Sequence, residues 1–462
     1  MLQRRTMTDI VVLGAGRSGR AAARLAQVLG ARVFVSEHKP WEHCREAAEE
    51  FAQWGIEAEF GGHSPRVWQA ELVVISPGIP PHAPVVQELQ RRGIPLVSEL
   101  EFAWQQLTGQ RVVAITGTNG KTTTTALLGY ILRRAGRSAV VGGNIGVPLS
   151  QLVLEGIPPD AVVVLEVSSY QLHYGRAFRP DIAVLLNITP DHLEFHGSYQ
   201  AYREAKWRIT AWQREEDFLI LNADDPDARA AERWTRARCA YFGRQPVQQG
   251  AYVRGTEIVL VWQHKEEVLM QTGELRLPGV HNLYNSLAAA VAARALEIRN
   301  EDLRDSLMQF SGVEHRLEHV RRWRGVDFVN DSKATNVNAA WYALSSYAQP
   351  IVWIAGGRGE HNDYSLLDEL VRQRVRLVVA IGEEAEAIFN HFCTMVRCVK
   401  AHSLEEAVRV AASYAQPGDV VLFSPACKSF DMFLNFEHRG EAFRRAVWEL
   451  PDEGLVAQEL SL

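Results

Sequence analysis

The sequence predicts an α/β protein of three domains: an N-terminal Rossmann-like domain, a central P-loop ATPase-type parallel sheet and a C-terminal Rossmann-like domain. Three observations predict it. Short β-branched apolar runs alternate with helix-like stretches along the chain, the pattern of parallel strands covered by helices. Two of these runs pass directly into glycine turns that open helices, at Gly14–Gly19 and Gly117–Lys121. The length of 462 residues is large for one core, since a domain takes roughly 100–200 residues. The expected divisions are 1–108, 109–312 and 313–462.

Composition narrows the class. With 47% hydrophobic and 23% charged residues and a formal charge of -6, nothing points to disorder, a polybasic nucleic-acid surface or a membrane habit. No run approaches the ~18 apolar residues of a membrane span. The five cysteines (Cys44, Cys239, Cys393, Cys398 and Cys427) are scattered without a CxxC, which fits free thiols in a reducing compartment better than a zinc site. The start, MLQRRTMTDIVVLGAG, has too short an apolar run for a signal peptide, so a cytoplasmic location is expected.

In the first segment, DIVVLGAGRSGRAAARLAQVLG reads as a strand, a Gly14-x-Gly16-x-x-Gly19 turn and a helix closing at Gly30. ARVFVSE follows as a strand ending in Glu37, with later strands in AELVVISPGIP and GIPLVSE. The turn fits a dinucleotide site with Glu37 on a ribose hydroxyl. It fits equally a tight strand-to-helix connection with no ligand.

In the second segment, RVVAITGTNGKTTTTALLGYILRRAG places a buried strand, a glycine-rich loop and a helix in succession. Loop amides and a helix N-terminus there can hold a triphosphate, with Lys121 on the outer phosphates and the Thr122 hydroxyl on magnesium. Gly117, Thr118, Asn119, Gly120, Lys121, Thr122 and Thr123 form this cradle. The standard P-loop has glycine six residues before the lysine; here that residue is Ile115, leaving the shorter Gly-x-x-Gly-Lys-Thr form. Two further strands end in chemistry: AVVVLE delivers Glu166, and DIAVLLNITPDH delivers Asp191 and His192. In an open α/β sheet these carboxyl ends share one edge with the P-loop, where a carboxylate and an imidazole suit magnesium. Alone, Asp191 reads as a helix cap and His192 as a surface residue. Residues 198–212, SYQAYREAKWRITAW, predict a helix capped by Ser198, with Tyr202, Ala205, Ile209 and Trp212 as its apolar stripe. By position Lys206 lies on the stripe's margin, where lysine usually snorkels to water.

The third segment repeats strands that end in polar loops, in VDFVNDSKATN, PIVWIAGG, RLVVAIG and DVVLFSPACKSF. The run IVWIAGGRGEH, residues 351 to 361, poses the question whether its glycine pair is a second phosphate cradle.

Taken in order, SPGI (76–79), AITGTNGKTT (114–123), GGNIG (142–146), LEVSSYQL (165–172), YREAKWRI (202–209), PGVHN (278–282), EHR (314–316), NDSKATN (330–336) and SPACKSFDMFLNFEHRG (424–440) form a set. This set resembles the ATP-dependent Mur ligases of peptidoglycan synthesis. NDSKATN and LEVSSYQL resemble the branch that adds D-glutamate, as against those adding L-alanine, a diamino acid or D-Ala-D-Ala. Folylpolyglutamate synthases share the architecture but carry other residues at those places.

The resemblance implies a monomeric cytoplasmic ligase that joins D-glutamate to UDP-N-acetylmuramoyl-L-alanine through an acyl phosphate. It implies that the first domain binds the UDP-sugar, with Ser18, Glu37, Ser76, Pro77 and Gly78 as contacts; the family often has Asp-Thr where this chain has Ser36-Glu37. ATP would use the P-loop together with Asn282, Arg316 and Asp331 on base, phosphate and ribose, sandwiched when the third domain closes. Two magnesium ions are implied, one on Thr122 and Glu166, the other on His192 and a carbamylated Lys206. Removing the lysine's positive charge explains a lysine among metal-binding groups better than snorkelling does. Asn144 and Gln171 match residues near the muramoyl-alanine portion, and Lys333, Thr335, Ser429, Phe430 and Phe436 match the acceptor pocket. His192 or a nearby carboxylate is the implied base for the incoming amine.

The family's glycine turn at GGRGEH lines the acceptor pocket, and its fifth position usually carries a lysine or arginine. Here that position is Glu360, with Arg358 two residues earlier. Either Arg358 takes over the carboxylate contact, as its fork geometry allows, or the acceptor is another amino acid; the first is favoured. Two other classes remain in view: a dehydrogenase built on the first glycine loop, which leaves the P-loop unexplained, and an ATP-binding module without turnover, which would tolerate loss of Lys206.

Overall fold

A computed structural model of the chain describes residues 9–451 apart from 145, 278, 360 and 361. Its strands form three sheets. The first contains β1 (Asp9–Leu13), β2 (Arg32–Glu37), β3 (Glu57–Phe60), β4 (Leu72–Ile75) and β5 (Leu96–Ser98), in the order β3-β2-β1-β4-β5. Every pairing is parallel. The apolar runs VVL and VVI at its centre are buried because helices cover both faces. Strand order reverses beside β1, so the carboxyl ends of β1 and β4 open the crevice in which such sheets bind ligands. Gly19 lets the helix Arg17–Val28 sit against this turn, since a Cβ there would stand 1.9 Å from the Gly14 carbonyl oxygen.

The second sheet has nine strands: β6 (Arg111–Thr116), β7 (Ala139–Gly143), β8 (Val162–Glu166), β9 (Ile182–Leu185), β10 (Phe218–Asn222), β11 (Arg238–Gly243), β12 (Gly250–Arg254), β13 (Glu257–Trp262) and β14 (Lys265–Gln271). Their order is β14-β13-β12-β11-β10-β9-β6-β8-β7. From β7 to β12 the pairing is parallel, but β12, β13 and β14 run antiparallel to one another. That extension departs from the purely parallel sheet expected. Its tight turn is Gln263-His264, with φ of 52° and 64°. A two-residue hairpin turn of this kind favours Asn-Gly, so Gln-His carries no turn signal. The core of this sheet is as expected: β6 lies between β8 and β9, and the P-loop, Glu166 and the segment after β9 share one edge.

The first two sheets belong to one compact unit and the third to another. Within the first unit, the Glu99–Trp104 helix packs on the Leu149–Glu155 helix. There Glu99 Oε1 accepts a hydrogen bond from Ser150 N at 2.7 Å, and Tyr174 OH donates to Ile79 O at 2.9 Å. The second unit holds β15 (Glu318–Trp323), β16 (Val326–Asn330), β17 (Ile351–Gly356), β18 (Val375–Ile381), β19 (Arg397–Lys400) and β20 (Val420–Phe423), ordered β15-β16-β20-β17-β18-β19. Only β15 is antiparallel among them. Among the described residues no helix is long and apolar enough to cross a membrane.

The helix expected over 198–212 spans Tyr199–Trp207 and tightens into a single 3-10 turn, Arg208–Thr210. Ser198 caps it as expected, its hydroxyl accepting from Ala201 N at 3.1 Å. The end comes early where Thr210 Oγ1 donates back to the Trp207 carbonyl at 2.9 Å. Tyr202, Ala205 and Ile209 are buried, whereas Trp212 lies beyond the helix and is 53% exposed.

Candidate active site

At the end of β6 the chain turns through Gly117–Gly120 into the helix Lys121–Arg134. Gly120 is left-handed (φ 85°), and a Cβ there would meet Asn285 Oδ1 at 2.2 Å. Asn187, just past β9, ties the loop down: its carbonyl accepts from Thr118 N at 2.9 Å and its Oδ1 from Asn119 N at 2.8 Å. Thr118 Oγ1 lies 2.9 Å from Tyr202 OH. These anchors shape the loop at the N-terminus of the helix, the place in a strand-loop-helix unit where phosphate binds. Asn282 and Asn285, on the alanine-rich helix Val280–Ala295, are buried behind it; Asn285 Nδ2 donates to Asn282 Oδ1 at 3.4 Å.

Glu166 is buried at the end of β8, as the sequence predicts. Thr122 Oγ1 donates to its Oε2 at 2.7 Å and Asn144 Nδ2 to its Oε1 at 3.2 Å. Adjacent hydroxyl and carboxylate oxygens suit magnesium, which takes few protein ligands beside phosphate and water. Among the described residues no group of three or more His, Cys, Asp or Glu forms a ready metal site, so any such ion would depend on the nucleotide for further ligands.

The position of Lys206 corrects the snorkelling reading. It is 2% exposed, and its Nζ donates to the Gly117 carbonyl at 2.8 Å. Lys121 Nζ donates to the same oxygen at 3.0 Å and to Thr118 O at 2.9 Å. The two amines thus lie within about 6 Å of each other, close enough for like charges to disfavour one another. Burial, reinforced by Lys121, pushes the Lys206 pKa well below its ordinary value against the pull of Asp191 and Glu166. The helix stripe brings Lys206 inward because its neighbour Tyr202 is itself buried, its ring 4.7 Å from Nζ.

His192 opens the short helix Leu193–His196 from a left-handed conformation (φ 53°). Its ring lies 4.9 Å from that of Tyr170, and its Nε2 is 3.4 Å from Asp191 Oδ2. Burial lowers its pKa and Lys121 and Lys206 add to this, while Asp191 opposes; a neutral imidazole offers a lone pair for a metal or a proton. Gln171 is held by its own helix start. It is buried in the capping box that starts Ser169–His173, its Oε1 accepting from Ser168 N at 3.0 Å. Its amide nitrogen has no hydrogen-bond partner among the described residues.

Ser18, Glu37, Ser76, Pro77 and Gly78 line one cleft of about 650 Å³ at the carboxyl edge of the first sheet. Glu37 is engaged by the protein: Oε2 accepts from Ala15 N at 2.7 Å and Oε1 from Lys39 N at 2.9 Å. Arg17, His38, Lys39 and His63 also line the cleft and were missed. Arg17 falls inside the Gly-x-Gly-x-x-Gly turn, a signal that could have found it; His63 lies in a loop with none.

In the second unit, Asp331 is buried, with Oδ1 accepting from Leu317 N at 3.2 Å and Oδ2 from Ser424 Oγ at 2.8 Å. Burial raises its pKa to about 6 despite Arg316 and these hydrogen bonds. Lys333 Nζ stands 5.7 Å from the Phe436 ring, Ser429 is buried and Phe430 is exposed; Thr335 N donates to Lys333 O at 2.9 Å. Arg439, also missed, joins these loops. Fully buried, it donates to Ser332 O at 2.7 Å and Cys427 O at 3.0 Å.

The glycine pair of IVWIAGGRGEH serves packing. A Cβ on Gly356 would stand 1.9 Å from Ile381 O, and one on Gly357 2.3 Å from Lys428 O. Arg358 exchanges backbone hydrogen bonds of 2.9 Å with Lys428, and its guanidinium grips Glu383 through Nη2 at 2.7 Å and Nε at 3.0 Å. Glu360 and His361 lie outside the described residues.

Residues 8–98 match the family model of the Mur ligase MurD-like N-terminal domain, 115–293 the Mur ligase middle domain, and 315–427 the Mur ligase glutamate ligase domain. The chain is 48% identical over 454 residues to the UDP-N-acetylmuramoylalanine–D-glutamate ligase of Salinibacter ruber (strain DSM 13855 / M31), covering 95% of this chain and 97% of that protein. It is 46% identical over 459 residues to the protein of the same name from Chlorobaculum parvum (strain DSM 263 / NCIMB 8327), covering 96% and 97%. Among solved structures, the UDP-N-acetylmuramate-alanine ligase MurC of Thermotoga maritima shares the fold, with a TM-score of 0.58 and 19% identity over 96% of this chain and 99% of that one. The chain belongs to the Mur ligase family, in its MurD-like branch.

Proposed function

We propose that the protein is the ATP-dependent ligase that adds D-glutamate to UDP-N-acetylmuramoyl-L-alanine in cytoplasmic peptidoglycan precursor synthesis, acting as a monomer. The observation that carries the reading is the shared Gly117 carbonyl, which sets a buried amine with a depressed pKa beside the P-loop lysine.

An amine cannot displace oxide from a carboxylate, so the alanyl carboxylate is first phosphorylated: its oxygen attacks the γ-phosphorus of ATP and ADP leaves. Two anions meet in that step, which makes charge neutralisation and alignment the main catalytic demands. Lys121 meets the outer phosphates, leaving the loop carbonyls it now touches, and the amides of Gly117–Thr123 orient the chain. Magnesium, two ions in this reading, supplies positive charge to the phosphate oxygens; Thr122 and Glu166 would hold one, His192 and Lys206 the other. A neutral Lys206 Nζ adds to carbon dioxide, forming a C–N bond and releasing a proton; the carbamate oxygens then supply ligands that an amine lacks. Asn282, Arg316 and Asp331 are assigned to the nucleotide, and Asn144 and Gln171 to the muramoyl-alanine portion.

The D-glutamate amine, deprotonated by His192 or a nearby carboxylate, then attacks the acyl carbon, and phosphate departs as the amide forms. Lys333, Thr335, Ser429, Phe430 and Phe436 form the acceptor pocket, with Arg358 reading the side-chain carboxylate. Its present pairing with Glu383 is half-exposed, and such pairs contribute little, so exchange for a substrate carboxylate is easy. An acceptor screen tests the reading: with UDP-N-acetylmuramoyl-L-alanine and ATP, D-glutamate should stimulate phosphate release more than any other amino acid. No stimulation by D-glutamate, or stronger stimulation by another acceptor, defeats it.

A further inference from the structure

The cleft of the first sheet holds a polar cluster that the reading above leaves unused. Ser36 is fully buried on β2, and its hydroxyl touches two groups: Glu59 Oε1 at 2.7 Å and His63 Nδ1 at 2.7 Å. Ser64 N donates to the same Glu59 oxygen at 2.9 Å. Burial pushes the Glu59 carboxyl up, but hydrogen bonds from Ser64 and Ser36 outweigh this and hold it below its ordinary value. Glu59 is therefore an ionised carboxylate and accepts only. A hydroxyl has one proton to give, and the Ser36 proton goes to Glu59. Ser36 Oγ must then accept from His63, which places the imidazole proton on Nδ1.

The tautomer leaves Nε2 with a bare lone pair, since the hydrogen bond at one ring nitrogen sets the state of the other. Among the described residues no hydrogen bond involves Nε2, and His63 lines the cleft beside Glu37, Lys39 and Ser76. The His38 ring stacks alongside, its centroid 6.0 Å away at an interplanar angle of 29°. Burial and His38 push the His63 pKa down, against Glu59 and Glu37, which keeps the ring neutral at neutral pH. Glu37, the acceptor that a dinucleotide-type reading would choose, already takes two backbone amides. Among the described residues His63 Nε2 is thus an acceptor of this cleft with no protein hydrogen bond, whereas Glu37 is already engaged on both oxygens.

We propose that His63 Nε2 accepts a hydrogen bond from the nucleoside half of the UDP-sugar, either from the imide N–H of uracil or from a ribose hydroxyl. The proposal rests on the cleft being the UDP-sugar site, and its test is separate from turnover. Calorimetric titration of the full chain with UDP should show His63→Phe binding about three- to tenfold more weakly than wild type, the scale of one neutral hydrogen bond. The analogues 3-methyl-UDP, 2′-deoxy-UDP and 3′-deoxy-UDP distinguish the donors. One of them should lose a similar factor on wild type and nothing further on His63→Phe. If all three analogues lose the same factor on both proteins, the proposal is overturned while the cleft reading stands. If UDP does not bind the wild type, both are overturned, and acceptor-dependent phosphate release still judges the ligase reading on its own. Should His63→Phe fold poorly, nitrogen NMR of the wild-type imidazole decides: a protonated Nδ1 and a bare Nε2 whose resonance moves on adding UDP are expected. A protonated Nε2, or no movement, overturns the proposal.

Discussion

Replacing Lys206 by methionine separates its chemical role from its packing role. The side chain is 2% exposed, and among the described residues its amine makes one hydrogen bond, to Gly117 O, and meets the face of Tyr202. Losing the hydrogen bond costs about 1 kcal/mol. Sparing a buried amine its desolvation returns roughly 1–3 kcal/mol, and methionine fills nearly the same volume. The melting temperature should therefore stay within roughly 4 °C of wild type. Turnover should behave otherwise, because the carbamate and the charge it organises are gone. Removing one preorganised group that stabilises transition-state charge costs about 10²- to 10³-fold in kcat. Phosphate release in the complete reaction, differential scanning calorimetry, and carbon NMR with labelled bicarbonate read the three consequences. The carbamate signal should be present in wild type, absent in Lys206→Met, and added bicarbonate should not restore activity. A folded Lys206→Met enzyme with more than a tenth of wild-type activity would rule out a catalytic carbamate at this position.

Arg358→Ala should raise the KM for D-glutamate about tenfold or more, since a bidentate charged contact is lost, and leave that for ATP within about twofold; equal effects on both would remove Arg358 from the acceptor pocket. Gly120→Ala should destabilise the protein by more than the about 1–2 kcal/mol that its left-handed backbone alone costs, because its Cβ also meets Asn285 Oδ1 at 2.2 Å. Gly16→Ala, with open space around its Cβ, should leave the melting temperature unchanged while weakening UDP binding; calorimetry of both variants checks the contrast. Asp331 has a folded pKa raised from 3.8 to about 6. The stability linked to its protonated form is complete below pH ~4 and lost as pH rises through about 6, so Asp331→Asn should unfold at higher temperature than wild type at pH 7. The gain is of order 3 kcal/mol and should vanish near pH 4; a gain independent of pH would contradict the assignment.

What the sequence disclosed follows its periodicities. Gly14-x-Gly16-x-x-Gly19 and Gly117-x-x-Gly120 announce strand-to-helix turns, and five apolar residues before Glu166 fix where its carboxylate emerges. Those signals are local, and the parallel topology converts them into one shared edge. Lys206 was legible only through the family resemblance, because its burial depends on Tyr202 and on the Gly117 carbonyl, 89 residues away in sequence. Arg439 was not legible at all, because its burial depends on the carbonyls of two separate loops. The hairpin of β13 and β14 was hidden by its Gln263-His264 turn. Trp212 was misjudged because helical periodicity was extended past the point where Thr210 ends the helix. The tautomer of His63 lies beyond any sequence pattern, since it follows from Ser36 giving its one hydroxyl proton to Glu59.

The proposed reaction turns on an acyl phosphate of the alanyl carboxylate that is passed to D-glutamate. The direct measurement is mass spectrometry of the full reaction, run with UDP-N-acetylmuramoyl-L-alanine carrying heavy oxygen in its carboxylate. The expected outcome is a product enlarged by one glutamyl residue only when D-glutamate is present, with one heavy oxygen transferred to the released phosphate. Unlabelled phosphate beside labelled amide product, or product formed with another amino acid in preference to D-glutamate, would contradict it.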